Sequence, residues 1–355
     1  MSDLLDGHDL LLADLDGTLY RGREAVPGAV EAVRAAGEKG VRTVYVTNNA
    51  SRSPDDVAAH LAELGFPAAA DLVATSSQAA AQLLTQQLPG GAKVLVVGTP
   101  ALAAEVNAAG LSAVDAADGA AAVVQGLDPE LCYRTLAEAC IALRAGATWV
   151  ACNVDPTLPS ERGPLPGNGS LVAVLRTATR RQPQVAGKPA PALMQTAAQR
   201  GGGQNPLVVG DLLDTDIRGG RAAGMTTLLV LTGVSRPADL LAAPAEARPD
   251  YIGADLAALN RGPDELEPGP RPDWTVHGTA GGLTLAGAGD PLDALRALCA
   301  HHWREGGGPA RVTPDGDGAD SALRELDLRP TGADNDPSGS RSATVAGADT
   351  APEAE

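Results

Sequence analysis

The run Leu10-Leu11-Leu12-Ala13 is apolar without a break and ends directly in Asp14-Leu15-Asp16-Gly17-Thr18. A short run with no polar alternation suits a strand covered on both faces, and such strands belong to parallel sheets flanked by helices. The neighbouring pattern agrees. Residues 30–38 read as a helix, and the β-branched run 41–46 reads as a second strand that closes on Thr47-Asn48-Asn49. Ser53-Pro54-Asp55-Asp56 then opens another helix, with Ser53 as N-cap and Pro54 in the first turn. Strand, helix and strand in this order predict an α/β fold whose ligands lie outside the C-terminal ends of the strands. Asp14 and Asp16 stand at such an end.

Further strands are predicted over 93–97, 121–124 and 149–152, with a helix over 133–143, which makes a second α/β unit. The opening pattern then returns. Residues 207–209 run into Gly210-Asp211 and residues 227–231 into Thr232-Gly233, so both are expected in the first sheet. The domain reading is a Rossmann-like core of 1–80 and 182–261, interrupted by an α/β domain over 81–181. A Gly/Pro-rich linker is expected over 262–272. A small C-terminal α/β appendage follows over 273–330, with a hairpin around Gly281-Gly282 and a helix over 291–303. Residues 331–355 hold hardly any large apolar side chain and are expected to be a disordered tail.

Composition removes several function classes. With 355 residues the chain has room for more than one domain, and 44% hydrophobic residues supply a sizeable core. Aromatics are only 2%, so bases have few rings to stack on, and a net charge of −17 repels nucleic acid and anionic membranes. Charges, Gly and Pro interrupt every apolar stretch before it reaches the roughly 18 residues of a membrane span. Cys132, Cys140, Cys152 and Cys299 form neither a Cys-x-x-Cys pair nor zinc spacing, which suits a reduced compartment. Asp3, Asp6 and Asp9 occupy the place where a secretory signal is basic. The expectation is a cytoplasmic protein acting on a small molecule, with a homo-oligomer left open.

Each chemical motif has a bland reading by itself. Asp14 to Thr18 could be an acidic turn, Thr47-Asn48-Asn49 a turn tolerant of left-handed backbone, Lys188 a solvated surface group, and Asp211 to Asp216 a helix cap. Their joint order is a different matter. Asp-x-Asp-Gly-Thr after the first strand, Thr47-Asn48 after the second, Lys188 in Gly187-Lys188-Pro189, and Gly210-Asp211 with Asp214, Thr215 and Asp216 resemble the motifs of haloacid dehalogenase superfamily phosphatases. From the first motif to the second is 33 positions (14 to 47), too few for an inserted domain; from Asn49 to Lys188 is 139. The insertion therefore resembles a type IIA cap, as in the nitrophenylphosphatase-like and NagD-like subfamily. Residues 46–53, 144–147, 153–170 and the extension from Trp274 further resemble the members of that subfamily that act on glycerol 3-phosphate. Leu212 departs from the polar residue usual after Gly-Asp.

The resemblance implies a magnesium-dependent phosphatase. Asp14 would be the nucleophile and Asp16 the general acid and base, with Mg2+ held by Asp14, the Asp16 carbonyl and Asp211. Thr47, Asn48 and Lys188 would hold the phosphoryl group, and Asp216 would orient Lys188 or a metal-bound water from behind. Asn153, Asp155 and Asn168, where cap meets core, are candidates for substrate contact. A dianionic phosphate beside two ionised aspartates favours a protonated Asp16, the state a general acid needs. The extension resembles part of an acetyltransferase fold but has no pyrophosphate-binding signal, and no catalysis is assigned to it. Phosphoglycolate or a sugar phosphate is an alternative substrate; a phosphometabolite-binding regulatory protein is the alternative of another class.

Overall fold

The computed structural model describes residues 3–158, 162–279 and 282–329. Its central sheet has six parallel strands in the spatial order Tyr251–Gly253, Thr226–Val230, Pro206–Gly210, Leu10–Asp14, Arg42–Thr47 and Val73–Thr75. Leu10, Leu11, Leu12 and Ala13 are fully buried. Leu11 and Ala13 enter the cluster on one face of the sheet, and Leu10 and Leu12 the cluster on the other, so the unbroken apolar run is used on both sides. Register decides where the chemistry falls. Ala13 lies opposite Val209 and Asp14 opposite Val46, which brings the ends of three strands level at one edge.

A second parallel sheet runs in the order Gln184–Val185, Thr148–Ala151, Ala122–Gln125, Lys93–Val97 and Ser112–Val114. Gln184–Val185 corrects the expected limit of this unit: its sheet continues past residue 181, because these two residues pair with Val150 and Ala151. The two sheets are also joined by packing. Ala79 and Leu84 of the helix Ser76–Thr85 share one apolar cluster with Leu12 and Val208 of the first sheet and with Val94 and Val124 of the second.

The expected linker is an ordered connector. It contains the short helix Pro263–Leu266, whose Leu266 is fully buried in the core, and Arg271 ties it down by donating to the carbonyls of Glu265 and Glu267. Trp274–Thr279 and Gly282–Gly287 then pair antiparallel, as the anticipated hairpin requires, and residues 280–281 lie outside the described residues. The helix Pro291–Arg304 follows. Val312–Asp315, parallel to Gly282–Gly287, and the helix Asp317–Glu325 complete the unit and were not anticipated individually. Trp274, Leu285, Leu295 and Leu298 share a cluster with Ile217, Leu229 and Ile252 of the core. The guanidinium of fully buried Arg296 crosses the same boundary, donating to the Ile252 carbonyl from Nη2 at 2.6 Å while Nη1 meets Asp293. The expected tail over 331–355 lies outside the described residues.

Candidate active site

Four chain segments converge at the level edge of the central sheet. Asp14 ends the Leu10–Asp14 strand, Thr47 ends Arg42–Thr47, Asp211 follows Pro206–Gly210, and Lys188 follows the cap's last strand. The Lys188 ammonium lies 2.5 Å from Asp14 Oδ1 and 2.6 Å from Asp216 Oδ1. Asp14, Asp211 and Asp216 each offer an oxygen atom within 4.8 Å of the others.

Such crowding has an electrostatic signature. Burial, reinforced by the Asp216 carboxylate, pushes Asp14 well above the ordinary carboxylate range, against the attraction of Lys188. Asp211 is pushed up to about 6, first by burial and then by Asp216. Burial alone would lower the Lys188 pKa, yet Asp14 and Asp216 outweigh it and hold the ammonium charged. Three carboxylates against one ammonium leave uncompensated negative charge on hard oxygen atoms, the donor set a divalent cation such as Mg2+ takes.

Asp211 is held from three directions. Thr18 Oγ1 donates to its Oδ1 at 3.3 Å, and the Val234 backbone N–H to its Oδ2 at 2.6 Å. Gly17, at φ +86°, packs so tightly over it that a Cβ would come within 2.6 Å of the carboxyl carbon. The loop carrying Val234 is fastened in turn to the first motif, since Thr232 Oγ1 donates to the Gly17 carbonyl at 2.6 Å and Arg21 donates to the Thr232 carbonyl. Thr232 and Val234 were not among the anticipated site residues. The Thr-Gly pair at a strand end was the available signal for the loop, whereas a contribution made by a backbone N–H leaves no mark on residue type. Asp216 Oδ2 accepts from the Leu212 N–H at 3.1 Å, and Leu212 O accepts from Asp216 N. Leu212 thus supports Asp216 through its main chain, and its apolar side chain does not disturb that link.

Three asparagines expected to contact phosphate or substrate have hydrogen-bond partners within the protein. Asn48 does not present its side-chain amide for phosphoryl contact: Oδ1 accepts from the Lys188 N–H at 2.8 Å, and Nδ2 donates to the Lys188 carbonyl at 3.1 Å and to Asp155 at 3.2 Å. Both backbone groups of the lysine are gripped by one side chain. Asn153, expected to touch substrate, is buried and donates to the Asn48 carbonyl at 2.7 Å. Asn168 is buried and donates to the carbonyls of Asn153 and Gln125. Asn48 and Asn153 thus join cap to core, while Asn168 braces Asn153 from within the cap. Asp155 is half-buried, accepts from Asn48, and has its pKa raised by burial. The Thr47 hydroxyl accepts from the Asn49 N–H at 3.1 Å.

Asp16 differs from the other carboxyls in being exposed, at the mouth of a cleft of about 950 Å3 that Thr47 also lines. Partial desolvation nevertheless raises its pKa, against the opposing influence of Arg52, Lys188 and His60. Arg52, His60 and Tyr20 line the same cleft and were not anticipated as site residues. Arg52 lies only four residues beyond the Thr47-Asn48 motif.

Comparison with known proteins agrees with this geometry. A haloacid dehalogenase-like hydrolase family model matches residues 11–112, a second model for HAD-like hydrolases matches 185–259, and a GCN5-related N-acetyltransferase-like domain model matches 271–328. The D-glycerol 3-phosphate phosphatase of Mycobacterium tuberculosis is 48% identical over 343 residues, 92% of this chain and 96% of that protein. The crystal structure of a glycerol phosphate phosphatase from M. tuberculosis in complex with magnesium superimposes with a TM-score of 0.87 at 50% identity, covering 92% of this chain and 99% of that one. A thermostable NPPase from Geobacillus stearothermophilus, with TM-score 0.65 and 35% identity, covers 70% of this chain and 97% of its own. The expected resemblance is borne out: the chain belongs to the haloacid dehalogenase-like hydrolases, among their type IIA phosphatases.

Proposed function

We propose that this enzyme hydrolyses glycerol 3-phosphate to glycerol and inorganic phosphate with Mg2+ as cofactor. The observation that carries the chemistry is the convergence of Asp14, Lys188, Asp211 and Asp216 at one strand edge. The substrate reading is supported by the 48% identity, over almost the whole chain, to a D-glycerol 3-phosphate phosphatase.

Asp14 attacks phosphorus in line, forming an Oδ–P bond as the bond from phosphorus to the glycerol oxygen breaks. Asp16, whose raised pKa favours the protonated form, gives its proton to the departing alkoxide. Its carboxylate then takes a proton from water as that water attacks the phospho-aspartate, which frees phosphate and restores Asp14. Lys188 and the Thr47 hydroxyl stabilise the non-bridging oxygens. The carboxylates of Asp14 and Asp211 and the main-chain carbonyl of Asp16 would hold Mg2+, with Asp216 behind Lys188. When bound, the cation offsets the repulsion between the aspartates and the incoming phosphate.

Phosphate release from glycerol 3-phosphate, phosphoglycolate, sugar phosphates and nucleotides, with Mg2+ or with chelator, tests this reading. Glycerol 3-phosphate should give the highest kcat/KM, chelator should abolish turnover, and Asp14→Asn should remove it. Comparable turnover with and without metal would defeat the mechanism. A cytoplasmic setting accords with four cysteines that are all free thiols, and no helix among the described residues is long and apolar enough to cross a membrane.

A further inference from the structure

Among the described residues, the cleft lined by Asp16 and Thr47 is walled mainly by the core. The helix Pro54–Glu63 and its C-cap present Val57, His60 and Leu64 to it, at the i, i+3, i+7 spacing of a single helix face. Arg52 enters from the residue before the Ser53 N-cap, a position fixed by reciprocal hydrogen bonds between Ser53 and Asp56. Among the described residues, the cap adds only Leu158 to this lining.

Arg52 is exposed, yet it makes no hydrogen bond or ion pair among the described residues, in a chain whose acidic side chains outnumber its basic ones by 44 to 27. His60 is oriented by its neighbour: its ring meets Tyr20 edge to face, with centroids 5.1 Å apart. Both act electrostatically on Asp16. In the proposed reaction Asp16 stands beside the leaving oxygen, so the donors Arg52 and His60 that line its cleft are placed to meet the alcohol, while Lys188 and Thr47 hold the phosphoryl oxygens. A guanidinium with five N–H donors that meets no protein acceptor among the described residues suits a leaving group bearing vicinal hydroxyls.

We infer that Arg52, which lines the cleft together with His60, is a specificity-determining residue that recognises the hydroxyl-bearing leaving group of the substrate. The inference rests on the phosphatase reading given above. Its test compares glycerol 3-phosphate with n-propyl phosphate, which has the same carbon chain and phosphate and lacks both hydroxyls. The wild type should favour glycerol 3-phosphate in kcat/KM. Arg52→Gln should lower kcat/KM for glycerol 3-phosphate about tenfold more than for propyl phosphate, chiefly through KM, as expected for loss of a hydrogen bond to a charged donor. Arg52→Lys, which keeps the charge but loses the fork, should recover only part of that preference. An equal fall on both substrates would overturn the inference, since Arg52 would then serve only to attract the dianion; an unchanged ratio would overturn it as well. Either result leaves the phosphatase reading standing, whereas a wild type that releases phosphate from neither ester would sink both.

Discussion

The Asn48 side chain spends its hydrogen bonds on the frame of the site. By accepting from the Lys188 N–H and donating to its carbonyl, the amide fixes the backbone from which the ammonium reaches Asp14. Asn48→Ala should therefore lower kcat about 10- to 100-fold, the usual loss when a supporting shell is removed, with a smaller change in KM. Steady-state kinetics on folded protein checks this, and an unchanged kcat would dismiss the clamp. Gly17→Ala should be at least as damaging, because the residue combines φ +86° with a Cβ that would collide with the Asp211 carboxylate. Strain of about 1–3 kcal/mol and a displaced ligand should weaken Mg2+ binding roughly tenfold or more, as read by calorimetric titration. The residue types at Asp14, Asp16, Lys188 and Asp211 were legible because the chemistry demands those types. The role of Asn48 was not, since its partner is a main chain 140 positions away; nor was Val234, which acts through a backbone N–H that any residue but proline would supply.

Among the elements, legibility followed length and burial. The strands Leu10–Asp14, Arg42–Thr47 and Lys93–Val97 announce themselves by unbroken apolar or β-branched runs. Gln184–Val185 has too few residues to show a period. Val312–Asp315 includes Pro314 and Asp315 and reads as a loop; it is a strand because it lies at the edge of its three-stranded sheet, where a missing N–H is tolerated. The connector at 262–272 misled for a related reason: Gly and Pro suggest a flexible tether, while the burial of Leu266 depends on core residues distant in sequence. Leu266→Ala discriminates the two pictures. An ordered connector should lose about 2–5 kcal/mol of unfolding free energy in denaturant titration, the range for deleting a buried leucine side chain. A tether would lose almost nothing.

Across the whole molecule, the central sheet shares one apolar cluster with the cap and another with the C-terminal unit, and its charged edge carries Asp14 and Asp211. That edge is a source of instability when no cation is bound. Asp14 and Asp211 have folded-state pKa values above those of the unfolded chain, the latter at about 6. Between the unfolded and folded values the native state holds protons that the unfolded state has released, so stability rises as pH falls through that window. Metal-free protein should accordingly melt at a higher temperature at pH 5.5 than at pH 7.5. Mg2+ reverses the preference, because it binds the ionised carboxylates of the native state and stabilises by mass action. The gap in melting temperature between magnesium-saturated and chelated protein should be widest at pH 7.5 and shrink on acidification. Asp211→Asn should raise the metal-free melting temperature at pH 7.5 while removing most of the gain from Mg2+, since it deletes a buried charge and a ligand in one step. Scanning calorimetry over this range separates that outcome from a general effect of net charge, which would lift wild type and variant alike and leave the magnesium gap independent of pH.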